Sequence, residues 1–218
     1  MMRAPRAFFL DSLPASLKRY ETIDLHRKTL MVTETRRLRA FALGLTILVA
    51  SSALGQGVRN TSYALASGER VLRQEGELQA PVDTVWRTLT TGDGLRSFLA
   101  PQVWIDLRPG GRWETGHAAD AVPGDQRNIV NEVLAYLPNE MLAVRVIQAP
   151  PNFVHPEIAK QVWTVYQLQP LDERRTKLTV SMLGWPSGAA ADSVYRFFER
   201  GNAFTMRQLQ LRFTRSTP

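Results

Sequence analysis

Two kinds of residue in this 218-residue chain could do chemistry: a few isolated ionisable groups and a dense aromatic set. Glu132 is the most informative of the first kind. If a hairpin pairs Leu137 with Met141, then Val130, Glu132, Leu134, Tyr136, Leu142, Val144 and Val146 share one face. A lone carboxylate in such company is either a pocket acid or an edge group reaching solvent. In a pocket, desolvation would raise its pKa and suit it to acid/base work. His117, at the end of a strand beside Gly116, is a second candidate acid or base. Arg145 falls on the opposite hairpin face with Met141, Ala143 and Ile147. There it could grip a ligand carboxylate or pair with a structural acid.

The aromatic set offers binding rather than catalysis. Trp104, Trp113, Trp163, Tyr166, Tyr195 and Phe198 are candidate ligand contacts, and Asn202 could offer them an amide. The structural alternative places most of these rings, with Trp185, in an ordinary core. Gly201, one residue before Asn202, costs about 1 kcal/mol relative to Ala in a helix. Close approach of a ligand or of a sheet would offset that cost; simple tolerance is the alternative.

Other chemistries lack their residues. The chain has no Cys, which excludes disulfides, zinc-thiolate sites, iron–sulfur clusters and a cysteine nucleophile. Neither His117 nor His155 has a second His or a carboxylate at ligand spacing, and no metal is expected. No G-x-S-x-G elbow, G-x-G-x-x-G or Gly-Lys-[Ser/Thr] occurs, so Gly110-Gly111 reads as a turn and no cofactor is expected.

The elements that must position these residues follow from periodicity. Val71–Leu78 predicts a strand. Pro81 opens a helix in its first turn, with Val82, Val85, Trp86 and Leu89 on one face. Thr91–Gly94 breaks it, and Leu95, Phe98 and Leu99 make a second short helix. Hairpins follow: Val103–Leu107 with Arg112–His117, Asn128–Leu137 with Met141–Ile147, and Val162–Leu168 with Lys177–Leu183. Ala189–Arg215 predicts a long final helix with a stripe of Val194, Phe197, Phe198, Phe204, Leu209 and Leu211. A meander of strands covered by one helix is α+β.

Charge divides the chain. The net +7 would ordinarily point to nucleic acid or an anionic membrane. Residues 1–55 hold nine Lys+Arg against four acids, while 56–218 hold eighteen against sixteen. The excess sits in a leader in which Arg36-Arg37-Leu38-Arg39 precedes the apolar run Ala40–Ala50 and the small residues Ser51–Gly55. That order predicts a secretory signal over 31–55, cleaved near Gly55/Gln56, and a periplasmic or secreted protein. An uncleaved N-terminal membrane anchor is the alternative. Met31 is then the expected initiator, with 1–30 an over-called extension. Residues 56–69 read as a linker and 70–215 as the domain. No nucleic acid is expected, and a membrane is met only in transit.

Three segments resemble a known family. Pro81-Val82-Asp83-Thr84-Val85-Trp86-Arg87-Thr88-Leu89-Thr90 is similar to the "P-x-x-x-V-W-x-x-L-T" helix of the SRPBCC (START-like, birch-pollen-allergen-like) superfamily. Leu107–Trp113 resembles the "L-R-P-G-G-R-F" turn of the branch named for the activator of the heat-shock protein 90 ATPase. Asn131–Pro138 resembles that branch's "G-E-V-L-E-V-x-P", with Asn131 in place of Gly. The resemblance implies a helix-grip fold: a curved antiparallel sheet wrapped on a long C-terminal helix, two short helices after the first strand, and a cavity between. It implies a pocket for a hydrophobic or amphipathic small molecule, with cyclase and hydrolase members in the superfamily. An exported chain would not meet the cytosolic chaperone. Three readings follow: a small-molecule binder, a cyclase- or hydrolase-type enzyme using Glu132 or His117, and a protein-interaction module with a filled interior.

Overall fold

Strand segments such as 163–166 and 129–133 are rich in β-branched and aromatic residues, whose side chains pack well on a pleated surface. A computed structural model describes residues 57–215. The expected extension, signal and cleavage point lie outside these residues.

Among the described residues the strands are β1 (Arg59–Asn60), β2 (Tyr63–Ala64), β3 (Arg70–Leu78), β4 (Gln102–Ile105) and β5 (Arg112–Gly116). They continue as β6 (Ile129–Leu137), β7 (Met141–Gln148), β8 (Trp163–Asp172) and β9 (Arg175–Leu183). Helices α1 (Val82–Thr90) and α2 (Gly92–Arg96) follow β3, α3 (Pro156–Ala159) precedes β8, and α4 (Ala189–Arg215) closes the chain. The sheet is antiparallel in the order β1-β3-β9-β8-β7-β6-β5-β4, with β2 also paired to β3. This is the expected α+β helix-grip architecture.

Residues 56–69 are not a free linker. Arg59 and Asn60 pair with Glu75 and Gln74, and Tyr63 and Ala64 pair with Val71 and Arg70. The reason is an open edge: β3 would otherwise present unpaired backbone groups there. Arg59 adds a 3.0 Å ion pair to Glu75.

α4 lies on the concave face of the sheet. Gln74 Nε2 donates to the Glu199 carbonyl at 2.9 Å, and Gln210 Nε2 to the Glu77 carbonyl at 3.1 Å. The buried stripe of α4 runs through Ala191, Val194, Met206, Leu209 and Phe213. Phe204 and Leu211, expected on it, are exposed instead. At 3.6 residues per turn the spacing 191, 194, 206, 209, 213 holds one face, and both of those residues fall off it.

One further expectation needs correction. Pro81 precedes the first helical residue as the cap of α1 rather than lying inside its first turn. The expected break after α1 falls at Thr91, whose backbone is extended (φ −120°, ψ 150°). The Thr91 hydroxyl accepts from the Gly94 N–H at 3.1 Å and starts α2 directly at Gly92. The packing of α2 on α1 needs Gly94, because a Cβ there would lie 2.5 Å from Thr88 Cα. Gly201 is the opposite case: a Cβ would meet nothing within 4 Å, so the sheet does not approach it closely.

These two glycines make a paired prediction for equilibrium unfolding. Gly201→Ala should raise stability by about 0.5–1 kcal/mol through helix propensity. Gly94→Ala should lower it by about 1–3 kcal/mol through overpacking against backbone. A stabilised Gly94→Ala protein would contradict the packing described.

Candidate functional site

Side chains of opposite residues in an antiparallel sheet share a face, so register fixes what looks toward α4. One concave row runs Tyr136, Leu142, Tyr166, Val180 and Gln74 across β6, β7, β8, β9 and β3. The next runs Val133, Val144, Thr164, Met182 and Leu72. Trp113 on β5 lies opposite Asn131 on β6, and Asn131 opposite Val146 on β7, which extends this face toward the β4 edge.

The sheet and α4 do not fill the space between them. A small chamber of about 40 Å³ is lined chiefly by Leu89, Phe98, Leu178, Val180, Met206 and Leu209. A larger chamber of about 140 Å³ is lined by Phe153, Phe197 and Phe198 on one side and by Thr115, Ile129, Asn131, Val144, Val146 and Thr164 on the other. Leu99, Trp113, Tyr166 and Asn202 line both chambers and so form the partition. The larger volume is close to the ~150 Å³ of an apolar cavity that accepts benzene.

Of the residues anticipated for ligand contact, Trp113, Tyr166, Phe198 and Asn202 line the cavity, and so does His117. The others do not. Trp104 lies opposite Glu114, and Trp163 opposite Arg145, both on the convex face. Tyr195 packs on Trp185 at a ring distance of 5.0 Å, under the Arg70 guanidinium, behind the Phe198 wall of the larger chamber.

Glu132 also leaves the site, for one physical reason, and Arg145 on its expected face takes the second of its two expected roles, pairing with a structural acid. β6 carries an extra residue, Leu134: Ala135 faces Ala143 while Val133 faces Val144. A one-residue bulge reverses every side chain beyond it. Val133 therefore takes the buried place expected of Glu132, and Glu132 turns outward opposite Arg145. Arg145 Nη2 donates to Glu132 Oε2 at 2.7 Å. Both side chains are substantially exposed, so the pair contributes less than about 1 kcal/mol.

The bulge is held by the turn that carries the second motif. Gly110 N–H donates to the Val133 carbonyl, and Val133 N–H to the Gly111 carbonyl, each at 2.8 Å. Gly110 has φ +76°, and a Cβ on Gly111 would lie 2.0 Å from the Asp106 carbonyl oxygen. Both positions therefore require glycine.

The chemistry of the cavity is neutral. Among the described residues no Asp, Glu, Lys or Arg lines either chamber. The Tyr166 phenol is pushed up to about 12 by desolvation and stays protonated. His117 stands exposed at the rim of the larger chamber, yet the protein atoms crowding its ring hold its pKa below the ordinary 6.5. The Trp113 indole N–H is buried without a hydrogen-bond partner among the described residues. Such an unmatched donor costs about 1–3 kcal/mol. Asn202 Nδ2 donates to Met182 Sδ at 3.2 Å. Asn131, Thr115 and Thr164 were not anticipated as lining residues; the one available signal was Asn131 standing where the family motif has Gly. Among the described residues no group of three or more His, Asp or Glu could hold a metal, and His155 is exposed at the start of α3.

His117 and Glu132 yield opposite predictions. With a folded pKa below 6.5, His117 contributes stability that is fully present above about pH 6.5 and is lost as pH falls through the folded value. An NMR titration should place its midpoint below 6.5, and His117→Gln should remove that part of the acid-side loss. Glu132→Gln should change unfolding free energy by less than about 1 kcal/mol and leave any cavity binding intact.

Known proteins share this geometry. Protein MLL2253 from Mesorhizobium loti superposes with a TM-score of 0.55 at 19% identity, covering 68% of this chain and 100% of that one. The solution structure of CalU16 from Micromonospora echinospora gives 0.54 at 17% identity, covering 76% and 79%. The Aha1 dimer from Colwellia psychrerythraea gives 0.51 at 15% identity, covering 66% and 95%. At these identities the likeness is one of fold. No functionally curated protein matches the chain by sequence. The family model described as "Activator of Hsp90 ATPase homolog 1-like protein" matches residues 79–213, from the approach to α1 through most of α4, and the chain belongs to that family.

Proposed function

We propose that this protein binds a hydrophobic or amphipathic small molecule between the sheet and α4, without a cofactor. The observation that carries the reading is the pair of adjoining chambers with a common aromatic partition. A well-packed interior leaves few voids larger than a water molecule, and the larger chamber exceeds that several-fold. The same space argues against a module that acts through its surface alone. The enzyme reading loses its carboxylate, because Glu132 lies on the convex face in an ion pair with Arg145. His117 alone remains beside the cavity, and its neutral imidazole can accept or donate a hydrogen bond to a bound molecule.

We further infer that the protein works outside the cytoplasm. The basic cluster Arg36–Arg39, the apolar run Ala40–Ala50 and the small residues Ser51–Gly55 support this. A periplasmic or secreted protein would not engage the cytosolic chaperone for which its family is named. The small molecule is then its partner, and nucleic acid has no part.

Native mass spectrometry of protein recovered from its own host should show a co-purifying small molecule. Val146→Phe, which puts a ring into the larger chamber, should lower occupancy about tenfold or more while the fold persists. Undiminished occupancy would move the site elsewhere. N-terminal sequencing of the same sample should begin near Gln56 if the leader is cleaved.

A further inference from the structure

We infer that the cavity selects an uncharged molecule with a single aromatic ring and a hydrogen-bond acceptor, the acceptor being held by the Trp113 indole N–H. The inference rests on the ligand-binding reading above and narrows it to a chemical class.

Charge is excluded first. With no Asp, Glu, Lys or Arg among the described lining residues, an ionic ligand would lose its hydration and find no counter-ion. Such a transfer is strongly unfavourable. Size and shape come next. About 140 Å³ takes one ring rather than a polycycle or an acyl chain. The walls suit a ring: Phe153, Phe197 and Phe198 meet edge to face at centroid distances of 4.9 Å (Phe153–Phe197) and 5.5 Å (Phe197–Phe198), and Trp113 and Tyr166 tilt together at 5.9 Å. A planar ligand can continue this packing.

The acceptor follows from the partition. Trp113 is 3% exposed, lines both chambers, and its Nε1–H has no partner among the described residues. An indole N–H is a donor only, so the group that satisfies it must accept. Asn131 lies directly opposite Trp113 in the β5–β6 register, and its amide also lines the larger chamber. Neither Asn131, Thr164 nor Tyr166 spends its side chain on a hydrogen bond within the described protein. A carbonyl or ether oxygen near the partition would meet donors from several sides.

Three probes of one size separate the elements of this reading: acetophenone, ethylbenzene and benzoate, titrated at pH 7 into 15N-labelled protein. Acetophenone should bind about 3–10-fold tighter than ethylbenzene, the worth of one net hydrogen bond. Benzoate should show no saturable binding. The indole resonance of Trp113 should move downfield with acetophenone and not with ethylbenzene. In Trp113→Phe the two neutral probes should bind alike. Equal affinities in the wild type, or benzoate binding as well as acetophenone, would overturn the selection while leaving hydrophobic binding standing. An unmoved Trp113 resonance overturns the assignment to that residue whatever the affinities, and it needs no variant to fold. Failure of all three probes to bind overturns the cavity reading itself.

Discussion

One extra residue in β6 decides what the cavity contains. Strand side chains alternate with a period of two, so any insertion exchanges the two faces beyond it. Leu134 is that insertion. Its effect is stabilised by the backbone exchange between Val133 and Gly110-Gly111, which ties the β4–β5 turn to the bulged strand. Without it, the register set by Leu137 and Met141 would place Glu132 opposite Val146 and facing α4, and Val133 would face water. With it, β6 offers Asn131, Val133 and Tyr136 to the interior, and the carboxylate leaves. Two of the three family motifs are the two halves of this contact.

Removing charge from the concave face has an electrostatic logic. A carboxylate in a dry chamber needs a cation and several donors to remain ionised. The convex side supplies such partners: Glu75 takes Arg59 and Arg73, and the deeply buried Glu114 accepts from Asn128 Nδ2 at 2.7 Å and Gly124 N–H at 2.6 Å. The concave side supplies none. Its polar groups are amides, hydroxyls, an indole and an imidazole held neutral, which can reward a hydrogen bond without demanding a counter-ion. A site built of unpaired neutral donors would reject what cannot accept from them.

How much of this was legible in the sequence depended on the range of the information. The α+β architecture and the span of α4 follow from local periodicity, which β9 shows clearly as Leu178, Val180 and Met182 alternate with Thr179 and Ser181. The cavity lining was legible at Tyr166, on a strand of unbroken alternation, and at Phe198, on the apolar stripe of α4. Glu132 was misplaced because the bulge that turns it outward is stabilised by residues some twenty positions away, whereas Arg145 and Trp163 reach the convex face by the plain alternation of β7 and β8. The break at Thr91 was legible, but the need for Gly94 was not, because it comes from tertiary packing against Thr88. The strands of residues 56–69 were invisible for a similar reason: two-residue strands have no period, and the β3 edge alone calls them into register.

The same reasoning limits what the family can lend. Identities of 15–19% to proteins such as MLL2253, CalU16 and the Aha1 dimer preserve the path of the backbone. The Gly110-Gly111 turn and the helix after Pro81 serve that path, and they contribute no cavity-facing polar group. Ligand chemistry resides instead in the side chains of the concave rows, where motif and function part. At position 131 the family pattern carries Gly, which would leave the face beside Trp113 bare. This chain places an amide there, next to a buried indole N–H that has no partner. A backbone path kept by its glycines and the set of side chains facing the cavity are separable properties of one fold.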